Sequence, residues 1–308
     1  SSDLRQTAYD IATQSVVLLQ NNGVLPLNTA QKPLNILLTG PNANSLWAMC
    51  GDYSFPAMSF FWKKMQVDPD HPHIVTLLEG MRHRLDTLTA AATALSYSRG
   101  CDWTDTIETK YNVGGGDERA WEYDMLHRKV DAGEPANKTE ALRMAKQADV
   151  IIAAMGENVM LCGENRDRQG LRLPGRQEQY VNELIATGKP VVLVIFGGRA
   201  QVVAGLAERC AAVVQAWYPG EEGGNAVADI LLGRIAPSGK LSVSYPNTEL
   251  YQPLCHNTAT EQDPRVQWPF GYGLSYTTFD YTDLKMNQST ATTDESFTLT
   301  FDVTNTGK

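Results

Sequence analysis

Apolar runs without polar alternation recur along the second half of the chain, separated by segments with helical spacing. Such runs are typical of strands covered on both faces, and the amphipathic segments between them are typical of helices. From residue 139 the elements read TEALRMAKQA (helix), DVIIAAM (strand), GRQEQYVNELIATG (helix), PVVLVIF (strand), AAVVQAW (strand) and EEGGNAVADILLG (helix). Two earlier segments, PLNILLTG and TALSYSRGCDW, also begin as strands. This order predicts an α/β fold with a doubly wound, mostly parallel sheet sandwiched by helices.

The first part of the chain is less regular. Helical spacing of apolar residues predicts a first helix over residues 3–20, which the sequence NNG ends. The residues with this spacing are Leu4, Ala8, Ile11, Ala12, Val16 and Leu19. A later segment, HIVTLLEGMRHRL, also has helical period. Residues 47–67 form an aromatic-rich stretch that we interpret as irregular, and the polar residues 104–137 are assigned to no element.

The character of the sequence changes near the C-terminal end. The segment WPFGYGLSYTTFDYTDLKM is rich in aromatic residues and threonine, and SFTLTFDVTNTGK alternates like a half-buried strand. We therefore expect two regions, an α/β domain over residues 1–260 and, over 261–308, a linker with the first strands of an incomplete all-β module. A lone pair of strands is marginally stable in water, which indicates truncation or missing chain.

Composition and charge narrow the classes of function. The formal net charge of -9 and the lack of a basic cluster argue against a nucleic-acid partner. The apolar runs are far shorter than the roughly 20 residues of a membrane-spanning helix, so no membrane partner is expected either. The sequence LLTGPNANS lacks the glycine spacing of a dinucleotide site and a phosphate-binding lysine.

Metal-binding and redox patterns are also missing from the sequence. The five cysteines are widely spaced without a CxxC pair, which favours buried or free thiols. The histidines are scattered, with HPH at 71–73 the only close pair, so we expect no metal site and no cofactor.

The most polar connection follows the predicted strand DVIIAAM. It reads GENVMLCGENRDRQGLRLPG over residues 156–175 and carries two glutamates, an aspartate and several arginines before the chain becomes helical again. Open α/β sheets place their chemistry in loops beyond the carboxyl ends of the strands, so one of these carboxylates is a candidate for catalysis.

Several segments together resemble glycoside hydrolase family 3, and specifically its α/β-sandwich domain. The matching pieces are ATQSVVLLQNNGVLPL, ILLTGPNA, GDYS, VTLLEGMR, RGCDW, GENRDR, RLPGRQ, AWYPGEEGGNAVADILLG, PSGKLSVSYP and PFGYGLSYTTF, in the family's order. The final residues resemble the beginning of the fibronectin-III-like domain that often follows.

The resemblance implies part of a retaining, exo-acting β-glycosidase, with β-glucosidase the leading activity, acting on terminal β-D-glycosyl residues of an oligosaccharide or glycoside. In this family a (β/α) barrel domain carries the nucleophilic aspartate, and the sandwich contributes the acid/base glutamate on a loop over the sugar pocket. No barrel is visible in this sequence, so the barrel is the expected partner and these residues alone should not turn over substrate.

The resemblance assigns roles to individual residues. Glu164 matches the acid/base position because NRDRQGLRLP follows it, and Arg168 matches an arginine that we expect to hold the loop by bidentate contacts. Glu157 matches a recurring glutamate with a structural or substrate-positioning role, and it is the alternative proton donor. Asp167 is a weaker rival, because the arginines on either side would lower its pKa.

Two further features have competing interpretations. Asp102 stands in CDW, which imitates the sequence around the family's nucleophile, but it follows the sandwich's own second strand and we reject it as the nucleophile. The aromatic residues of 47–67 are interpreted mainly as core or as contact with the barrel, with Trp62 or Phe61 as candidates to line an outer sugar subsite.

Two alternative functions remain open at this point. The first is a non-catalytic carbohydrate-binding or scaffolding sandwich whose active-site loop is vestigial. The second is a nucleotide-binding α/β protein, which the missing phosphate loop disfavours.

Overall fold

A six-stranded sheet forms the centre of the molecule, with strand order β1-β6-β5-β4-β2-β3. The computed structural model describes residues 2–29, 32–63, 73–87, 93–103, 135–159, 161–163, 168, 170–249, 254–255 and 262–307, with only the backbone described at 60–63. The sheet strands are β1 (Val17–Asn21), β2 (Asn35–Thr39), β3 (Ala94–Ser98), β4 (Val150–Gly156), β5 (Val191–Phe196) and β6 (Ala212–Trp217). All neighbours pair in parallel except β1, which is antiparallel to β6 at the edge. The predicted α/β fold with a mostly parallel sheet is confirmed.

Helices flank the sheet. They are α1 (Ser2–Ser15), α2 (Phe55–Lys63), α3 (Leu77–Asp86), α4 (Lys138–Gln147), α5 (Gln177–Ile185), α6 (Ala204–Ala207) and α7 (Gly223–Leu231), with a 3₁₀ helix at Leu46–Ala48. Local chemistry explains two of the starts. Thr76 and Glu79 form a reciprocal capping box on α3, and the Asn137 side chain accepts a hydrogen bond from the Glu140 amide at the start of α4.

Both faces of the sheet are covered, as the unbroken apolar strands require. Every residue of β4 and of β5 is buried. Alternate residues such as Ile151 and Leu193 pack in one apolar cluster with Tyr180 and Leu184 of α5. The residues between them, including Ile152, point to the opposite face and are equally buried. The carboxyl ends of the parallel strands therefore share one edge, where the connecting loops begin.

Two predictions about the first part of the chain are wrong. The first helix ends at Ser15 instead of continuing to residue 20, and residues 17–21 form the edge strand β1. Val16 and Leu19 continue the helical spacing of α1, but the strand that begins at Val17 pairs with β6, a contact that no local pattern reveals. The stretch 47–67, interpreted as irregular, contains α2, whose first turn includes Pro56, a residue suited to a helix start.

Three helices are joined by one buried carboxylate, Asp229 of α7. Its oxygens accept hydrogen bonds from Arg84 Nε and Nη2 at 2.7 and 2.8 Å and from the Tyr9 hydroxyl at 2.5 Å. Arg234 Nε lies 3.1 Å from Oδ1. Burial and then the hydrogen bond to Asp229 raise the pKa of Tyr9 to about 12. This cluster connects α1, α3 and α7.

The chain divides into two compact units, residues 1–274 and 275–308. In the first, the short strands β7 (Tyr245–Pro246) and β8 (Val266–Trp268) pair, and Leu274 bridges to Leu18 of β1. The second contains the antiparallel strands β9 (Phe279–Met286) and β10 (Leu299–Asn305), whose residues are all exposed. The antiparallel strands expected at the C-terminal end are thus present. None of the helices in the described residues is long and apolar enough to cross a bilayer.

Candidate active site

Loops that leave four neighbouring strands meet at the carboxyl edge of the sheet. The ring of Tyr218, after β6, lies against Gly51 from the loop after β2 and against Gly198 from the loop after β5. The Tyr218 hydroxyl donates to the Asn158 carbonyl, after β4, at 3.4 Å. Carboxyl ends of strands are where open α/β sheets bind their ligands, so this convergence is the candidate active site.

The polar loop begins at a sharp bend at the end of β4. Gly156 has a φ of +124°, and a side chain there would place its Cβ 1.8 Å from the Phe196 carbonyl oxygen. The buried Gln177 side chain accepts from the Gly156 amide at 2.7 Å and donates to the Gly156 carbonyl at 2.8 Å. The direction in which the chain leaves the sheet is therefore fixed by a glycine and by the first residue of α5.

Glu157, the next residue, is completely buried. Its Oε1 accepts from Arg168 Nη1 at 2.7 Å and from Arg199 Nη1 at 2.8 Å. Its amide donates to the Phe196 carbonyl at 2.8 Å, and its carbonyl accepts from Asn42 Nδ2 at 2.9 Å. Among the described residues, Oε2 has no hydrogen-bond partner. This enclosed carboxylate therefore compensates the charge of two guanidinium groups at the carboxyl edge.

Arg168 is at the returning end of the loop, and its side chain is 8% exposed. Besides the Glu157 contact, its Nη2 donates to the Arg172 carbonyl at 2.9 Å. The guanidinium therefore contacts one carboxylate and one carbonyl, instead of making the expected bidentate contact with a single carboxylate. Its predicted role in holding the loop stays a prediction.

Arg199, in the loop after β5, was not among the candidates from sequence. It donates from Nη1 to Glu157 and, at 2.7 Å, to the Leu161 carbonyl. Burial lowers the pKa of Arg199, but the neighbouring Glu157 charge raises it, and the net direction is upward. The signal for this residue was its place in GGRAQ directly after a buried strand, at the same edge as the polar loop.

The predicted proton donor Glu164 and its rival Asp167 lie outside the described residues. The residues on both sides, Gly163 and Arg168, are described and belong to the carboxyl edge. A methyl group at Gly163 would lie 2.5 Å from Oδ2 of Asp52, which is in the loop after β2.

The aromatic stretch divides into three groups. Trp47 is fully buried, whereas Tyr53 and Phe55 are 66% and 67% exposed. Trp62 lies in α2, but its side chain and that of Phe61 are outside the described part. The predicted subsite role of these two residues is therefore not tested here.

Asp102 follows β3 and pairs with Arg99 Nη2 at 3.0 Å. The Arg99 guanidinium lies 4.7 Å from the ring centre of the buried Trp103, which donates to Asn42 Oδ1. These contacts suit a structural role for the CDW segment.

The cysteines form no disulfide, and burial raises the pKa of Cys50 to about 11 and of Cys210 to about 12. Within the described ranges, no group of three or more His, Cys, Asp or Glu residues could hold a metal ion.

Comparison with known proteins agrees with this architecture. The family model described as "Glycosyl hydrolase family 3 C-terminal domain" matches residues 16–276. The chain is 32% identical to a periplasmic beta-glucosidase of Salmonella typhimurium, over 99% of this chain and 39% of that protein. It is 28% identical to a beta-xylosidase of Formosa agariphila, over 99% of this chain and 38% of that protein.

A solved structure of a β-glucosidase from Erythrobacter marinus superposes with a TM-score of 0.74 at 29% identity, covering all of this chain and 40% of that one. The chain thus spans about two fifths of the length of these relatives. A family match over most of the residues, together with this fold, shows that the chain belongs to glycoside hydrolase family 3.

Proposed function

We propose that this chain is the α/β domain of a retaining, exo-acting β-glycosidase that removes terminal non-reducing β-D-glycosyl residues, with β-glucosidase the favoured activity. The observation that carries the proposal is the polar loop after β4. Its departing end at Glu157 and its returning end at Arg168 are joined by a buried ion pair at the edge where three other loops meet. A loop fixed at both ends on a rigid sheet is suited to present a catalytic group.

Glu164 is the proposed acid/base residue. Of the other acids in the loop, Glu157 is fully buried and contacts two guanidinium groups, which argues against it as a donor to substrate. Asp167 stands between Arg166 and Arg168 in the sequence, and neighbouring positive charges lower the pKa of a carboxyl group, which makes a poor acid. Glu164 is the acid that these arguments leave.

The nucleophile belongs, in this proposal, to a barrel domain outside this chain. Retaining hydrolysis uses two carboxyl groups about 5–5.5 Å apart, and nothing requires both to lie on one domain. The aspartate that imitates the nucleophile sequence, Asp102, is paired with Arg99. The barrel and a β-linked glycoside are therefore the proposed partners, and these 308 residues alone should be inactive.

The chemistry follows from this division. Glu164 donates its proton to the glycosidic oxygen as the bond from that oxygen to the anomeric carbon breaks and the barrel aspartate bonds to the carbon. The Glu164 carboxylate then takes a proton from water as the water oxygen attacks the anomeric carbon and displaces the aspartate. This proton transfer regenerates the acid. The double inversion retains the anomeric configuration.

The test is Glu164→Gln in the complete enzyme. Glutamine cannot protonate a departing alkoxide, so hydrolysis of substrates with poor leaving groups should fall by about 10²–10⁴-fold. Cleavage of activated aryl glycosides should fall far less. Azide, a nucleophile that needs no general base, should restore turnover of the activated substrate. Asp167→Asn is the matched control and should not produce this bias. Equal loss on both substrates would contradict the assignment.

The sugar class can be tested separately, because relatives named beta-glucosidase and beta-xylosidase both match the chain. We favour glucosides, so kcat/KM should be higher for an aryl β-glucoside than for the aryl β-xyloside. The reverse ranking would assign the enzyme to xylosides without affecting the role of Glu164.

Trp62 is the proposed contributor to an outer sugar subsite. Its helix, α2, follows the loop that brings Asp52 to the carboxyl edge. Trp62→Ala should raise KM for a trisaccharide while leaving an aryl monosaccharide unchanged, since only the longer substrate reaches such a subsite. Equal KM values for mutant and wild type on the trisaccharide would remove Trp62 from the site.

A further inference from the structure

Asp52 and Gly163 approach each other more closely than a side chain on Gly163 would allow. A Cβ on Gly163 would lie 2.5 Å from Oδ2, 2.6 Å from Cγ and 2.7 Å from Cβ of Asp52. Since a carbon–carbon bond is about 1.5 Å long, the Gly163 Cα itself lies within about 4 Å of the Asp52 carboxylate. Asp52 is only 8% exposed. The two residues are therefore packed directly against each other.

The Asp52 side of this contact is supported by regular structure. Asp52 lies between the 3₁₀ helix Leu46–Ala48 and α2, in a turn where the Ser54 amide donates to the Gly51 carbonyl at 3.0 Å. The Gly220 amide donates to the Met49 carbonyl at 2.8 Å, which joins this segment to the loop after β6. The backbone on either side of Asp52 is thus held by hydrogen bonds that do not involve the polar loop.

Gly163 belongs to a turn, residues 161–163, that also contacts the loop after β5. The Leu161 amide donates to the Asn158 carbonyl at 3.0 Å, and its carbonyl accepts from Arg199 at 2.7 Å. Sγ of Cys162 would lie 3.4 Å from a Cβ on Gly198. The turn 161–163 is therefore enclosed between the loop after β5 and Asp52.

We propose that Asp52 is a positioning residue for the glycosidase reaction: by packing against Gly163 it fixes the path of the turn 161–163, from which the chain continues to the proton donor. This rests on the proposed function, because the effect on the reaction requires the donor to be Glu164. The contact requires a glycine at position 163, since any larger residue would displace either the turn or Asp52. A misplacement of a catalytic group by about 1 Å can reduce the rate about a hundredfold. A packing contact one residue before the proton donor can therefore affect the rate of hydrolysis.

The test is a double-mutant cycle in the complete enzyme, with kcat/KM measured for glycosides with poor and with good leaving groups. Gly163→Ala should slow the poor leaving groups at least tenfold more than the good ones. Asp52→Gly alone should also slow the poor leaving groups selectively, because the turn loses the side chain that it packs against. The double variant should be less impaired than the product of the two single defects, because Asp52→Gly removes the Cβ and the carboxyl group that the new methyl would meet. Asp52→Ala would not suffice, since its Cβ remains 2.7 Å away.

The controls separate positioning from general damage. Gly205→Ala, at a glycine with nothing within 4 Å of the added Cβ, should leave both substrates unchanged. Asp52→Asn, which keeps the shape of the side chain, should retain most of the wild-type preference for leaving groups. Thermal unfolding of each variant shows whether it is folded at the assay temperature.

The inference would be overturned if the effects of Gly163→Ala and Asp52→Gly on kcat/KM simply multiply in the double variant. It would also be overturned if Gly163→Ala has the wild-type kcat/KM for both kinds of substrate. Either result would count even if Glu164→Gln behaves as an acid/base variant. If Glu164→Gln instead shows equal loss on all leaving groups, the proposed function fails. In that case the inference falls with it, whatever coupling the two positions show in unfolding.

Discussion

Two buried carboxylates in this molecule have nearly the same ionic partners but occupy very different places. Asp229 and Glu157 each contact two arginines. The partners of Asp229 belong to or directly follow helices, and both of its oxygens are used. The partners of Glu157 come from loops at the carboxyl edge, and both contact the same oxygen. The chemistry of an ion cluster therefore does not reveal its role, whereas its place in the fold does.

The largest effect is expected from Glu157→Gln in the complete enzyme. Removing one partner of a buried ion pair leaves the arginine charges uncompensated, which should lower the free energy of unfolding by about 3 kcal/mol. Because both ends of the polar loop are held by this carboxylate, kcat for poor leaving groups should also fall about a hundredfold. Chemical denaturation and steady-state kinetics measure the two effects. An unstable variant with normal kcat per folded molecule would make Glu157 purely structural.

Asp229→Asn is the matched change at the other cluster. It should lower the free energy of unfolding by about 2–3 kcal/mol, somewhat less than at Glu157 because Arg84 and Arg234 retain solvent contact. The turnover per folded molecule should be that of the wild type at a temperature where both are folded. If Asp229→Asn changed the leaving-group preference, the Asp229 cluster would affect the reaction as the Glu157 cluster is expected to.

Alkaline pH should weaken the Asp229 cluster. The folded state holds the Tyr9 proton more tightly than the unfolded state, since the pKa rises from 10.0 to about 12. This contribution is complete below pH 10.0 and is lost as the pH rises through about 12. Between these values the wild type should lose stability more steeply than Tyr9→Phe. Denaturant titrations at each pH measure the free energy of unfolding. The same dependence on pH for the wild type and Tyr9→Phe would contradict the prediction.

The smallest effect is expected at Tyr245, near Glu157. Its hydroxyl is buried without a hydrogen-bond partner in the described part of the chain, and its ring contacts the edges of Trp217 and Trp268. Burial, and then the Glu157 charge, keep its pKa above the ordinary value, so it stays neutral. Tyr245→Phe keeps the ring and should change the unfolding free energy by less than about 1 kcal/mol. A larger loss would reveal a hydrogen bond important to the Glu157 cluster.

The sequence predicts the central fold well because each parallel strand is a continuous apolar run, such as VVLVIF, between segments of helical period. It fails at β1, where Val16 and Leu19 fit a helix by spacing but the strand that begins at Val17 pairs with β6, nearly 200 residues away in the sequence. Local periodicity contains no information about such a partner.

The same limit applies to the candidate site. The polar loop is identifiable because it directly follows a buried strand and resembles a family motif. Arg199 has only the general signal of following a buried strand. Its contact with the loop, like that of Asp52, cannot be read from the sequence, because each residue reaches the loop from a different connection of the sheet. Sequence also leaves the role of Glu157 open between donor and support, and its complete burial, which no sequence pattern predicts, is what favours support.

The ion pair between Glu157 and Arg168 has a consequence for the length of the polar loop. It closes a ring of chain from residue 157 to residue 168, and the strands of the sheet lie outside this ring. Doubling the length of a flexible loop costs only about 0.6 kcal/mol in closure entropy. A change in the length of this ring would therefore alter the free energy of folding of the sheet only slightly.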